Sequence, residues 1–304
     1  MKISGFSFIR NGIKLYFPVV ESIKSILPIC DEFIIAVGKG DPDDATRDAI
    51  IEIGDPKIKI IDTDWADYQQ EYHGQIHAIQ TNIALAECEG DWCFYLQADE
   101  VVHEKYLPVI VNRCQELLDD REVEGLLFRY KHFWGDYEHY HNGHGWYSRE
   151  IRIVRNGIGV RSHLSAQSFK REGEKLKVAE VAAEIYHYGW VRPPHLMQSK
   201  RKAIEINHWG KEKTEAKFKG APLSFDYGPL NRLALFKDSH PAVIKEKIAS
   251  MNWKAKLQYS GRPDPERAPH KHEKFKYRLL SFIENKLLGG EKLGEYKNYI
   301  LLDK

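Results

Sequence analysis

The 304-residue chain is 42% hydrophobic, long enough for one large core with an appended segment or for two small domains. Its 45 basic and 44 acidic side chains nearly cancel, which excludes the broad electropositive surface of a general nucleic-acid binder and makes any attraction for anions local. No apolar run is long enough to span a bilayer, and Met1 to Arg10 is too short and polar for a secretory leader. Cys30, Cys88, Cys93 and Cys114 lack C-x-x-C spacing, which argues against a disulfide framework or cysteine zinc site and favours a reducing cytoplasm.

In chain order, Ile3 to Ile9 reads as a strand, Phe17 to Leu27 as a helix with Pro18 in its first turn, and Glu32 to Val37 as a second strand. Asp43 to Ile53 fits a short helix opened by acids, Lys57 to Ile61 a third strand, and His73 to Cys88 a helix with Ile76, Ile79, Ile83 and Leu85 near one face. Asp91 to Gln97 is almost continuously apolar, as a central strand of a parallel sheet must be. Alternating strands and helices predict an α/β fold with a mostly parallel central sheet flanked by helices. After a helix over Glu104 to Asp119, strands at Val123 to Phe133, Ile151 to Arg155 and Leu176 to Tyr188 point to a mixed sheet in the second half. A catalytic domain over 1–192 is expected, followed by a helical extension over 193–304. Within the extension, Gly261 to Pro269 reads as a linker before a last helix, Phe275 to Leu288.

In an open parallel sheet the loops beyond the carboxyl ends of the strands line the ligand crevice. Those loops begin at Arg10 and Asn11, at Gly38 to Asp44, at Asp62 to Trp65 and at Ala98 to Glu100. Gln97-Ala98-Asp99-Glu100 places acids directly after a buried strand. Asp99 there suits a Mg²⁺ or Mn²⁺ ion, which takes one or two protein oxygens and the rest from diphosphate and water. The alternative is that Asp99 and Glu100 begin the next helix. Arg10, Asn11, Asp44 and Asp62 lie at the crevice edge as candidates for base, ribose or phosphate contact, although Asp44 and Asp62 fit capping and turn roles equally.

The strand ending in QADE resembles the metal-motif segment of family 2 glycosyltransferases. Phe8-Ile9-Arg10-Asn11, Cys30-Asp31-Glu32-Phe33-Ile34-Ile35, Asp43-Asp44-Ala45-Thr46 and Trp92 resemble that family's other N-terminal elements in the right order. The similarity covers about the first 100 residues. Arg149 to Arg155 (REIRIVR) and His187-Tyr188-Gly189-Trp190 add likeness to transferases of bacterial lipopolysaccharide core and surface polysaccharide assembly.

The resemblance implies a GT-A nucleotide-diphospho-sugar transferase fold, a divalent cation, a nucleotide-sugar donor and a glycan or lipid-linked glycan acceptor, with inversion at the anomeric carbon. Two positions depart from it. Gln97 stands where the first acid of the metal motif is expected, able to bond ribose hydroxyls or metal-bound water but bringing no charge, and Val37-Gly38 ends the second strand without an acid. Asp99 is then the principal acidic ligand, with His187 as a further metal or diphosphate contact or, alternatively, a core histidine.

An acceptor hydroxyl needs a base. Glu150, beside Trp146 and Tyr147, ranks first, followed by Asp136 and Glu138; each is also an ordinary surface-carboxylate type. His139, His141 and His144 have zinc-like spacing, but the intervening Tyr, Asn and Gly suit an acceptor or lid loop better. The last helix is basic and amphipathic: its apolar stripe can pack on its own domain or lie on an anionic membrane surface. The competing readings are a catalytically inactive nucleotide-sugar binding protein, kept open by Gln97, and a sugar-phosphate nucleotidylyltransferase. The latter expects a Gly-rich loop after the first strand, where only Arg10-Asn11-Gly12 stands, and a dinucleotide dehydrogenase fails on the same ground.

Overall fold

A computed structural model describes residues 1–69 and 74–304. The strands are β1 (Ile3–Ile9), β2 (Glu32–Gly38), β3 (Ile58–Thr63), β4 (Trp92–Tyr95), β5 (Glu100–Val102), β6 (Gly125–Trp134), β7 (His139–His141), β8 (Arg149–Arg155), β9 (Val160–His163), β10 (Ser168–Arg171), β11 (Glu174–Trp190), β12 (Ala234–Leu235) and β13 (Tyr299–Leu301). The helices are α1 (Val19–Ile26), α2 (Thr46–Ile51), α3 (Ala66–Gln69), α4 (Ile76–Ala86), α5 (Leu107–Glu116), α6 (Pro194–Trp209), α7 (Lys211–Phe218), α8 (Lys245–Ala249) and α9 (Phe275–Leu287). The expected start of the α4 helix at His73 lies outside the described residues.

The sheet runs in the order β3-β2-β1-β4-β8-β6-β11-β10-β9. Its first four strands are mutually parallel, and β8 joins antiparallel to β4 and β6, so the class is the expected α/β with a parallel first half and a mixed second half. β2 shows why its sequence is apolar throughout. Phe33, Ile35 and Val37 enter the core on one face with Val19, Ile23 and Ile26 of α1, while Ile34 and Ala36 enter the core on the other. The α4 helix lies on that second face through small side chains: Ala78, Thr81 and Ala84 are buried while Ile79, Ile83 and Leu85 are only partly so. Ile76, read from the apolar period, is buried with them, whereas the small and polar buried positions are not captured by that period.

The acids after β4 do not open a helix. Glu100 begins β5, which pairs antiparallel with β11 through His187, and the Glu100 carboxylate is fully buried. Arg152 of β8 grips it with two bonds, Nε to Oε2 and Nη2 to Oε1, both 2.8 Å, and Tyr130 donates to Oε1 at 2.9 Å. The backbone N–H of Gln97 donates to Oε2 at 3.1 Å, so this ion pair fixes the turn that carries Asp99.

The segment after residue 193 is not helical alone. β13 adds parallel to β11 in the main sheet, and α6 lies across the crevice described below. α9 turns polar side chains inward: Ser281 Oγ accepts from the His144 N–H, and buried Glu284 pairs with His144 at 2.6 Å, while Phe275, Leu279, Phe282 and Leu287 point outward. The apolar stripe is therefore split, with Leu280 and Ile283 half-buried and the rest exposed.

Removing one partner of a buried ion pair strands a charge. Arg152→Met is expected to lower the unfolding free energy by about 3–5 kcal/mol, and the double variant Glu100→Gln/Arg152→Met by less, read from urea denaturation midpoints.

Candidate active site

The carboxyl ends of β1 and β4 open into a cavity of about 640 Å³, lined among others by Arg10, Asn11, Gln97, Asp99, Trp65 and His77, and roofed by Lys200, Ile204, Asn207 and His208 of α6. Of the expected residues, the structure brings together Arg10, Asn11, Gln97 and Asp99 here. Asn11 holds a left-handed backbone, φ 55°, which asparagine tolerates, and its Oδ1 accepts the Asp41 N–H at 2.8 Å, tying the β1 loop to the β2 loop. Arg10 Nε donates to the Lys39 carbonyl at 2.9 Å. The Gln97 side-chain amide donates to the Ala166 carbonyl at 3.0 Å, holding the β9–β10 turn against the cleft and leaving its own oxygen for a ligand.

Asp44 and Asp62 flank a smaller neighbouring cavity of about 420 Å³ at the ends of β2 and β3. Asp44 Oδ1 accepts from Thr46 Oγ1 at 2.7 Å and from the Lys14 N–H at 3.1 Å, a turn-closing role. Asp62 is paired with Arg47 through two bonds of 2.8 and 3.0 Å.

Asp99 sits on the cleft floor, 6% exposed. Its Oδ2 accepts from Lys200 Nζ at 2.9 Å and lies 3.6 Å from His187 Nε2. Burial pushes the Asp99 carboxyl up, but the Lys200 ammonium and the His187 ring overcome this and hold it well below the usual carboxylate range. Gly189 is required beside them, since a Cβ there would fall 2.7 Å from Asp99 Oδ2 and also collide with the His187 ring. Burial, then Arg192, lowers the Lys200 ammonium to about 8 against the opposing pull of Asp99.

The orientation of His187 follows from a short relay. His132 Nε2 lies 2.8 Å from the Tyr147 carbonyl, which only accepts, so that nitrogen carries the proton. His132 is buried; that desolvation, with His187 adding, holds the ring neutral, well below the usual imidazole range. His132 Nδ1 is then an acceptor and takes the Nδ1–H of His187 at 3.0 Å. Nδ1 of His187 thereby carries a proton, and Nε2 is the nitrogen turned toward Asp99, able to donate to the carboxylate when it bears a proton and to ligate a cation when it does not. A histidine whose other nitrogen is fixed by an outer hydrogen bond is the usual form of a metal-ligating imidazole.

Among the described residues no three His, Cys, Asp or Glu side chains converge as a metal cluster. The Asp99–His187 pair fits an ion that draws its remaining ligands from a diphosphate and water. His139, His141 and His144 do not converge: His139 pairs with Asp136, His141 stacks on Trp146 at 4.3 Å, and His144 pairs with Glu284.

Asp136 is buried away from this cleft, accepting the backbone N–H groups of Glu138 and His139, both at 2.9 Å, and the His139 ring. These three contacts converge on Oδ1 and serve its own turn. Glu138 pairs at the surface with Lys254, 3.1 Å. Glu150 lines a second cavity of about 450 Å³ with Trp146, Tyr147 and Tyr296, and this cavity shares Ser165 with the first. Its carboxylate accepts from Gln167 at 2.8 Å and Asn298 at 2.9 Å, and burial raises its pKa.

Lys200, Lys211, His77, Asn207, His208 and Asp41 are among the lining residues that sequence reasoning did not single out. Asp41 lies three residues beyond the β2 strand end where an acid was sought. Lys200 stands in a Lys-rich helix, where nothing in the spacing separates it from its neighbours.

No protein-family model and no curated protein matches this chain. Among solved structures it is similar to S. aureus TarS 1–349 in complex with UDP-GlcNAc, at 14% identity over 68% of this chain and 66% of that chain, TM-score 0.38. It is also similar to glucosyl-3-phosphoglycerate synthase from Mycobacterium tuberculosis in complex with Mn²⁺, UDP and phosphoglyceric acid, at 18% identity over 42% of this chain and 43% of that chain, TM-score 0.30. The match spans less than two thirds of either protein's own length. These values are low, and the reading of the cleft rests on its own geometry.

His132 and His141 are both buried. Burial holds each well below the usual imidazole range, with His272 adding to the effect at His141. The unfolded chain takes up protons near pH 6.5 that the folded chain refuses, so stability is full above that pH and falls as pH drops below it, by about 1.4 kcal/mol per pH unit for each histidine that stays neutral. Urea midpoints should fall between pH 7 and pH 5.5, and His141→Phe should flatten that slope.

Proposed function

We propose that the chain is a glycosyltransferase of the GT-A type that binds a nucleotide-diphospho-sugar in the 640 Å³ cleft and passes the sugar, with inversion, to an acceptor hydroxyl in cell-surface glycan assembly. The observation that carries this reading is the Asp99 carboxylate on the floor of a cleft large enough for a donor, just beyond the carboxyl end of β4, with His187 Nε2 3.6 Å behind it. A Mn²⁺ or Mg²⁺ ion held by that pair would offset the charge growing on the departing diphosphate. Arg10, Lys200 and Lys211 line the same cavity and favour an anionic ligand, and Asp41, the other carboxylate there, is already paired with Lys14 at 2.7 Å. Trp65 and Phe8 give flat apolar walls for a base or sugar ring.

In the transfer, the bond from the anomeric carbon to the diphosphate oxygen breaks as the acceptor oxygen bonds to the opposite face, and the acceptor proton goes to a base. The adjoining 450 Å³ cavity, with its Trp146 and Tyr147, suits a glycan acceptor, and its buried Glu150 carboxylate, with affinity for a proton raised by burial, suits the base. If so, Glu150→Gln lowers kcat at least 100-fold while nucleoside-diphosphate affinity stays within threefold; an unchanged kcat places the base elsewhere. Asp99→Ala is expected to abolish metal-dependent nucleotide binding. A wild-type chain that binds nucleoside diphosphates yet turns over no donor is instead a binding module.

The outward stripe of α9 supports peripheral contact with an anionic membrane, where a lipid-linked acceptor would reside. Phe275, Leu279, Phe282 and Leu287 are exposed, and Lys274, Lys276, Arg278 and Lys286 interleave with them. No helix among the described residues is long and apolar enough to cross a membrane. Phe275→Ser/Phe282→Ser should reduce sedimentation with phosphatidylglycerol vesicles at least fivefold without shifting the melting temperature; equal binding would reject the contact.

A further inference from the structure

The ammonium of Lys200 stands where a divalent ion at Asp99 would stand. Its Nζ is 2.9 Å from Asp99 Oδ2, the oxygen that faces His187, and 2.8 Å from the Gly189 carbonyl. An ion coordinated by Oδ2 and an ammonium bonded to that same oxygen are cations within a few ångströms of each other in a desolvated site, so the two compete. Glu100 offers no alternative anchor, since Arg152 and Tyr130 occupy it.

A released Lys200 would keep only the Gly189 carbonyl and the face of Phe17, with a second buried cation close by. Its side chain lies over the Phe17 ring at 4.7 Å, and the same ring carries Arg192 at 4.6 Å. Arg192 is fully buried, with Nε and Nη2 finding no partner among the described residues, and it adds a fixed positive field. Lysine is a point charge on a flexible four-carbon stem, and an ammonium has three donors, two of them used here. Lys200 lines the donor cleft, so an anion bound there lies within its sweep.

We propose that Lys200 is an internal counter-ion that holds Asp99 in the donor-free chain, yields Asp99 to the divalent ion, and then binds the donor diphosphate as a second cation. This inference rests on the donor reading above. Its consequence is coupling: metal alone binds weakly because it must displace Lys200, and metal with diphosphate binds well because the displaced ammonium gains a new partner.

Lys200→Gln in the full chain separates the two halves, since glutamine is neutral yet can still donate to Asp99; Lys200→Met serves if that variant does not fold. Titration calorimetry is expected to show Mn²⁺ alone binding at least tenfold tighter to the neutral variant than to wild type, and UDP, GDP, CDP, ADP or dTDP in saturating Mn²⁺ binding at least tenfold weaker. Lys200→Arg keeps the charge and should stay within threefold of wild type in Mn²⁺ affinity. A protein that only lost structure would weaken in both titrations, which overturns the proposal, as does unchanged Mn²⁺ affinity or unchanged diphosphate affinity. Wild-type diphosphate affinity that is equal in EDTA and in Mn²⁺ also overturns it, because Lys200 would then be the permanent cation. If none of the five nucleoside diphosphates binds wild type while the Mn²⁺ difference appears, the donor reading fails and the counter-ion half stands.

Discussion

The bidentate contact between Glu100 and Arg152 sets the geometry on which the site depends. Neither side chain reaches solvent, so each needs the other, and the remaining lone pairs and protons are satisfied by Tyr130, the Gln97 backbone N–H, and the carbonyls of Ile151 and Gln167. One buried interaction thereby joins the turn after β4, the strands β6 and β8, and the β9–β10 hairpin. Asp99 is the residue before Glu100. With Glu100 fixed and Gln97 held through its own backbone, Asp99 projects from the cleft floor with little freedom to retreat.

Reading acids in the same motif by composition alone misses this division of labour. QADE supplies two adjacent carboxylates, yet one is spent on structure and the other faces the cleft. The position of the motif, directly after a continuously apolar strand, was legible because a strand buried on both faces must end where its side chains can meet water or a ligand. The partner that decides between the two acids was not. Arg152 lies 52 residues downstream in REIRIVR, where alternation along β8 is the only cue, and alternation does not say which arginine is buried with a counter-charge. Arg155 of the same strand is also buried but caps the carbonyls of Leu117, Leu118, Asp120 and Val123 instead.

The first hundred residues were readable in detail for a physical reason: they repeat a strand–helix unit with a clear apolar period, and this signal is written within each element even though β1 pairs with β4 across almost ninety residues. The second half is held by long-range pairings. β5 pairs with β11 across more than eighty residues, β13 returns from the end of the described chain to β11, and the α9 helix binds His144 through polar groups. An amphipathic pattern reports how apolar residues are spaced, not which face is inward. In α9 the inward groups include Ser281 and Glu284, and the apolar pattern alone left open which face turns inward.

The roof of the cleft shows the same limit at the place where chemistry is expected. A site built only from the strand ends would contain Asp99 with a nearby histidine and an open approach from solvent. The extension adds α6, and with it a lysine whose charge balances Asp99 before any ligand arrives. That balance matters because an ionised carboxylate this deeply placed would otherwise be driven to take up a proton. The lysine therefore keeps Asp99 ionised. The His187–His132–Tyr147 relay does the matching task for the His187 ring by fixing the proton on its Nδ1. Both groups are held by neighbours that come from parts of the chain remote in sequence from the motif that first marks the site.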